Sequence, residues 1–168
     1  MNTTNEILLV SFCITSVAMG LFIIQLLLRK LKPKSELGNK IKISYGAWVF
    51  FLFTALSINT AKTLDLLGEA FDLITKSNTE NTLLNIFQTS SIFIGLNILW
   101  FVIWLSISNV LSIILIGKRN VSKEMENNNI SYFLIRGVIL IGIIISFLTL
   151  YESLLRAFLP TINAPFYH

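Results

Sequence analysis

Long apolar blocks alternate with short polar stretches along the chain. A helix that crosses a bilayer needs about 20 mainly apolar residues, because lipid offers no partner to loose backbone groups. Four blocks meet that length, at residues 7–28, 43–64, 91–116 and 132–151. The stretches 29–42 and 117–130 read as tight hairpin loops. The connection between the second and third blocks is different. There Leu64, Leu67, Phe71 and Ile74 recur at helical spacing, while Asp65, Glu69, Asp72 and Lys76 take other faces. The spacing predicts that the second helix continues, amphipathic, to about Thr75. Ser77-Asn78-Thr79-Glu80 has the form of a capping box. A helix starting there and running to Ile116 would measure roughly 58 Å at 1.5 Å per residue. The hydrocarbon core is only about 30 Å thick, so two or three turns are expected to stand outside it as a helical crown. The fourth helix is expected to run on to Leu159 and to stop at Pro160.

Composition turns these blocks into spans. The 168 residues are 54% hydrophobic and 13% charged, against about 25% charged in a soluble domain. Too few polar side chains remain to cover a globule in water. The expected fold is therefore an all-α membrane protein, a single transmembrane domain over residues 1–168 built as a four-helix bundle. The first block resembles a signal-peptide core, but Glu6 is the only charge before it and Arg29 and Lys30 follow it. It reads as a retained helix.

The net charge of +4 does not point to nucleic acid, because the basic residues flank the apolar blocks. Arg29, Lys30, Lys32, Lys34, Lys40 and Lys42 follow the first span, and Lys118, Arg119 and Lys123 follow the third. The other side holds Lys62, Lys76 and Arg156, with Asp65, Glu69, Asp72, Glu80 and Glu152. Nine basic residues against three place loops 29–42 and 117–130 in the cytoplasm and both termini outside. Contact with anionic lipid headgroups is compatible with this, through Arg29, Lys30, Lys32, Lys34, Lys118 and Arg119.

An internal duplication is also expected. Glu36-Leu-Gly-Asn39 followed by Ile43-Ser44-Tyr45 parallels Glu124-Met-Glu-Asn127 followed by Ile130-Ser131-Tyr132. The same shift of about 87 residues carries Asp65 onto Glu152. The halves 1–75 and 78–159 would then be two helical hairpins in parallel repeat, related by an axis along the membrane normal. This layout, with polar Asn-containing leads at Asn39–Gly46 and Asn127–Gly137, resembles the YjfL-like family of small bacterial inner-membrane proteins. Lys40, Lys42 and Tyr45 stand where that pattern has small residues. The resemblance implies an architecture and a location in the inner membrane, and no particular chemistry.

Candidate chemistry is sparse. The single histidine is His168, and the sequence contains no Gly-rich phosphate loop and no His, Cys or carboxylate set at metal spacing. No enzyme activity, cofactor or metal is expected. Cys13 lies within an apolar block and reads as a small hydrophobe. Lys62, Asp65, Glu152 and Arg156 fall at the outer ends of the spans and form a candidate charged cluster, either a structural pairing or part of an ion or proton pathway. Glu152 and Arg156 have the favourable helical order, acid first and four apart. Asn97, Ser108, Asn109 and Ser112 on span three are candidates for interhelical hydrogen bonds or for lining an aqueous path. Arg136 is expected to snorkel toward the cytoplasmic boundary and Trp48 to anchor at the interface. Trp100 and Trp104 are expected to serve as packing or lipid-facing bulk, and Gly95, Gly137 and Gly142 to permit close helix packing.

The expected function is a non-enzymatic membrane subunit that assembles with itself or with another membrane protein. A protein partner on the outer side would dock at residues 66–88, where Phe71 and Ile74 are the proposed contacts. The alternatives are a small oligomeric channel or transporter for an ion or small solute, and a membrane immunity or defence protein.

Overall fold

The computed structural model describes residues 3–29, 31–32, 36–37, 40–77 and 81–160. Helices cover all four apolar blocks: α1 (Thr3–Leu28), α2 (Ile43–Lys76), α3 (Thr82–Ile116), and the successive α5 (Ile130–Ser146) and α6 (Leu148–Arg156). A short α4 (Val121–Glu126) lies in the second hairpin loop, and residues 36–37 pair antiparallel with 40–41 in the first. Three helices are long and apolar enough to cross a membrane, or four if α5 and α6 count as one bent span. Many of their large apolar side chains face outward, among them Phe22, Phe50, Leu99, Val110, Ile114 and Val138. Water would not tolerate so large an apolar surface, whereas lipid does.

Each boundary has a local cause. α2 ends where the Ser77 hydroxyl donates to the Ile74 carbonyl and its amide to Leu73. Ser77 therefore closes the preceding helix instead of opening the next, which starts at Thr82. Asn78 to Glu80 of the expected capping box lie outside the described residues. α3 stops at Gly117, whose φ of +80° suits glycine. With 34 and 35 residues, α2 and α3 each measure about 51–52 Å, well beyond the roughly 30 Å of hydrocarbon.

The fourth block departs from expectation. A bend of 46° interrupts it at Phe147. The Ser146 hydroxyl donates back to the Gly142 carbonyl at 2.8 Å, a bond that bends helices. Phe147 stacks on Trp104 with ring centroids 4.4 Å apart. The last helix also ends at Arg156, short of Leu159. The intervening residues close as tight turns, with Phe158 donating to Leu155 and Leu159 to Arg156, and the residue before a proline is barred from helix on steric grounds.

α2 is the central element and touches α1, α3, α5 and α6. Two apolar clusters lie along it. One, nearer the hairpin loops, gathers Leu52, Leu56, Phe101, Phe133, Leu140 and Ile144. The other, toward the opposite end of α2, gathers Leu66, Leu67, Phe71, Ile74, Phe93 and Tyr151. Phe71 and Ile74, expected at an outer docking surface, are thus buried within the chain. Close helix approach occurs at Gly137, where a Cβ would overlap the Phe51 ring, and at Gly20, where it would overlap Leu56. Gly95 and Gly142, expected to act likewise, face open space.

The two hairpin loops interlock at one end of the molecule. Lys42, at the cap position of α2, supplies no side-chain cap. Instead the Asn128 side-chain oxygen accepts from the Ser44 amide at 3.1 Å. Lys42 Nζ donates to the Glu126 carbonyl at 3.1 Å, and Ser44 Oγ to Met125 Sδ at 3.3 Å.

Candidate functional site

At the end of the molecule away from the hairpin loops a chain of four charges links α2 to α6. Lys62 Nζ lies 2.8 Å from Glu152 Oε2, Arg156 Nη2 lies 3.0 Å from Glu152 Oε1, and Arg156 Nη1 lies 3.2 Å from Glu69 Oε2. Three of the four expected members are present. Glu69 takes the place of Asp65, which is exposed and outside the chain of pairs. The helical repeat explains the exchange. Glu69 is seven residues from Lys62 and returns to nearly the same azimuth, whereas Asp65 is turned about 60° away. Hydrogen bonds from Lys62 and then Arg156 hold the Glu152 carboxyl below its ordinary range. The hydrogen bond to Glu152 and then the charge of Glu69 push Arg156 up. Two cations and two anions balance, so the geometry is one of mutual pairing between solvent-accessible groups, each pair weak by itself.

Between the two apolar clusters lies a polar belt. Asn97 is fully buried, and its amide donates to Thr60 Oγ1 at 3.0 Å and to Ser16 Oγ at 3.2 Å, tying α3 to α2 and α1. Thr63 Oγ1 donates to the Asn59 carbonyl at 2.9 Å and shares a 2.6 Å hydrogen bond with the Tyr151 hydroxyl. The Tyr151 ring stacks on Trp100, with centroids 5.1 Å apart. Both side-chain polar atoms of Asn59, Asn97 Oδ1 and the indole nitrogens of Trp100 and Trp104 are buried without a hydrogen-bond partner. A polar atom in that state costs about 1–3 kcal/mol.

The polar face expected along α3 therefore divides. Asn97 belongs to the belt. Ser108 and Ser112 are buried, with Ser112 Oγ donating to the Ser108 carbonyl at 2.7 Å. Asn109 accepts from Arg136 Nη2. Arg136 does not snorkel. It is 7% exposed and folds between α3 and α5, donates to the Tyr132 hydroxyl at 3.3 Å, and lies over the rings of Trp48 and Tyr132 at 5.0 and 5.5 Å. Trp48 is accordingly a buried partner of Arg136 and Phe133, not an interfacial anchor.

Of the expected headgroup contacts, Arg29 and Lys32 border an open groove of about 810 Å³ that continues over Leu21, Phe22 and Val49. Lys118 and Arg119 are exposed after α3, and Arg119 Nη1 pairs with Glu124 Oε1 at 3.3 Å. Lys30 and Lys34 lie outside the described residues. Among the described residues no three His, Cys, Asp or Glu side chains converge as a metal would require.

Sequence reasoning passed over Ser16, Asn59, Thr60, Thr63 and Tyr151. A signal was present in Asn59, Thr60 and Thr63, which are polar, lie within the second span, and place Thr63 four and three residues after the adjacent Asn59 and Thr60. Comparison with protein-family models, with curated proteins and with solved structures gave no match.

Proposed function

We propose that this chain is a non-enzymatic integral membrane subunit that assembles with itself or with another membrane protein through its crown. The observation that carries this reading is the uncovered outer face of α3, where Leu83, Leu84 and Phe87 are 70%, 54% and 62% exposed. Asn97 bonds Thr60 and so lies at its depth. From there fourteen helical residues lead to Leu83, about 21 Å farther from the hairpin loops, whereas Lys62 follows Thr60 by two. Apolar side chains so far past the first charges are not accounted for by hydrocarbon, and a protein partner would cover them.

In this reading the helices form a four-helix bundle of two hairpins in parallel repeat. Support comes from helix starts at Ile43 and Ile130, 87 residues apart, and helix ends at Leu28 and Ile116, 88 apart. The basic hairpin loops face the cytoplasm of a bacterial cell and the termini face outward. The test is the particle mass in mild detergent. The wild type is expected to run as an oligomer or with a co-purifying membrane protein, and Leu83→Asp with Phe87→Asp is expected to shed it. Identical masses before and after substitution would remove the proposal.

The unpaired amide of Asn59 favours a second reading, a small channel or transporter. Flux in reconstituted liposomes that Asn59→Leu abolishes would support it, and flux no higher than in empty liposomes would dismiss it.

A further inference from the structure

Among the described residues no carboxylate balances the charge of Arg136. Burial of a guanidinium in a membrane protein is costly unless the charge is paired. Its contacts here are Asn109, the Tyr132 hydroxyl and two aromatic faces, all neutral. Among the described residues no carboxylate forms an ion pair with it. A guanidinium has five N–H donors, and Asn109 and Tyr132 take two of them.

Space adjoins the remaining donors. A pocket of about 200 Å³ is lined by Asn109, Ser112, Arg119, Tyr132 and Arg136. A second pocket, of about 230 Å³, shares Arg119 and Tyr132 and adds Asn129 and Ser131. Among the described residues, Glu124 is the acid paired with a residue of this lining. It is held by Arg119 at 3.3 Å and by Asn129 Nδ2 at 2.6 Å. Two cations against one anion leave a net positive charge, within six residues of the start of α5 and beside the hairpin loop. On the proposed membrane placement, with the basic hairpin loops at one bilayer surface, this pocket would meet the headgroup region.

We infer that this pocket binds a phosphate-class anion, with Arg136 as its charge partner and Arg119 at its mouth. Planar guanidinium forks match tetrahedral oxyanions through paired N–H donors. The source is either the headgroup of an anionic phospholipid or a soluble phosphate. The inference holds whether or not the α3 face assembles with a partner.

Thermal unfolding of the full chain in a neutral detergent tests the site. Dihexanoyl phosphatidylglycerol near saturation is expected to raise the wild-type midpoint by about 5 °C, while dihexanoyl phosphatidylcholine leaves it nearly unchanged. Arg136→Gln should abolish that shift and Arg119→Gln should reduce it. Inorganic phosphate, compared with sodium chloride at equal ionic strength, separates the sources. An equal shift with phosphate identifies a soluble anion, and a shift with phosphatidylglycerol alone identifies a lipid. The proposal is overturned if no phosphate-bearing probe shifts the wild type, if phosphatidylcholine acts as strongly as phosphatidylglycerol, or if Arg136→Gln retains the full shift. Should Arg136→Gln fail to fold, the exposed Arg119 decides, and a wild-type-sized shift in Arg119→Gln overturns the site.

Discussion

Asn128 caps a helix in the opposite hairpin: its side-chain oxygen accepts from the Ser44 amide at 3.1 Å. Its own backbone stands at φ +50°, a region that side chains other than Asn and Asp rarely enter. The residue thus does two things at once, and three substitutions separate them. Asn128→Asp keeps both and is expected to be nearly neutral. Asn128→Gly keeps the turn and loses the cap, costing about 1 kcal/mol. Asn128→Ala loses both and is expected to cost about 2 kcal/mol. Unfolding by denaturant in detergent gives the order, and Ala matching Gly would mean that the turn is not held in this conformation.

The two buried asparagines should respond in opposite ways. Asn97→Ala removes two hydrogen bonds and strands the hydroxyls of Ser16 and Thr60, a loss of about 1–2 kcal/mol. Asn59 is fully buried with both amide atoms unpaired, so Asn59→Leu is expected to be neutral or stabilising. Equilibrium unfolding of both variants checks the contrast. A loss of about 2 kcal/mol or more in Asn59→Leu would mean that the amide has a partner after all.

Four glycine-to-alanine substitutions form a matched set. Gly20→Ala and Gly137→Ala drive a methyl into Leu56 and into the Phe51 ring, and overpacking of this kind costs about 1–3 kcal/mol. Gly95→Ala and Gly142→Ala meet open space and should gain up to about 1 kcal/mol from helix propensity. Thermal midpoints of the four, measured side by side, would contradict the packing described here if the two pairs did not separate.

Glu152 predicts a pH dependence. Its carboxyl is held low by Lys62 and then Arg156, so its contribution is complete above the ordinary glutamate range. That contribution fades as acidification passes through the lowered folded-state value. Stability should be level between about pH 6 and pH 8 and should decline below about pH 5. The difference between wild type and Glu152→Gln should be constant at neutral pH and shrink in acid. A difference that grew with acidity would contradict the assignment.

Apolar block length was the readable part of this chain, because lipid imposes a requirement that block length alone can meet. The amphipathic continuation of α2 was readable for a related reason. Leu67, Phe71 and Ile74 repeat over enough turns to register, and the helix ends at Lys76, one residue past the expected Thr75. Lys62, Glu152 and Arg156 were legible as a cluster because charges are rare here. Other features depended on tertiary partners. The bend lies at Phe147, which stacks on Trp104 of another helix, and the cap on Ser44 comes from a residue 84 positions away. Arg136 was misread because snorkelling is the usual course for a lone cation near a span end. Nothing in its neighbours along the chain announces that Asn109 and Trp48 hold it inside.

Because α2 touches every other long helix while α1 packs chiefly along α2, the order of synthesis matters. Until residues 43–76 have followed it, α1 lacks the helix that it chiefly packs against. A chain interrupted before that point would leave α1 without those contacts and its inward residues, Ile24 and Leu28 among them, uncovered.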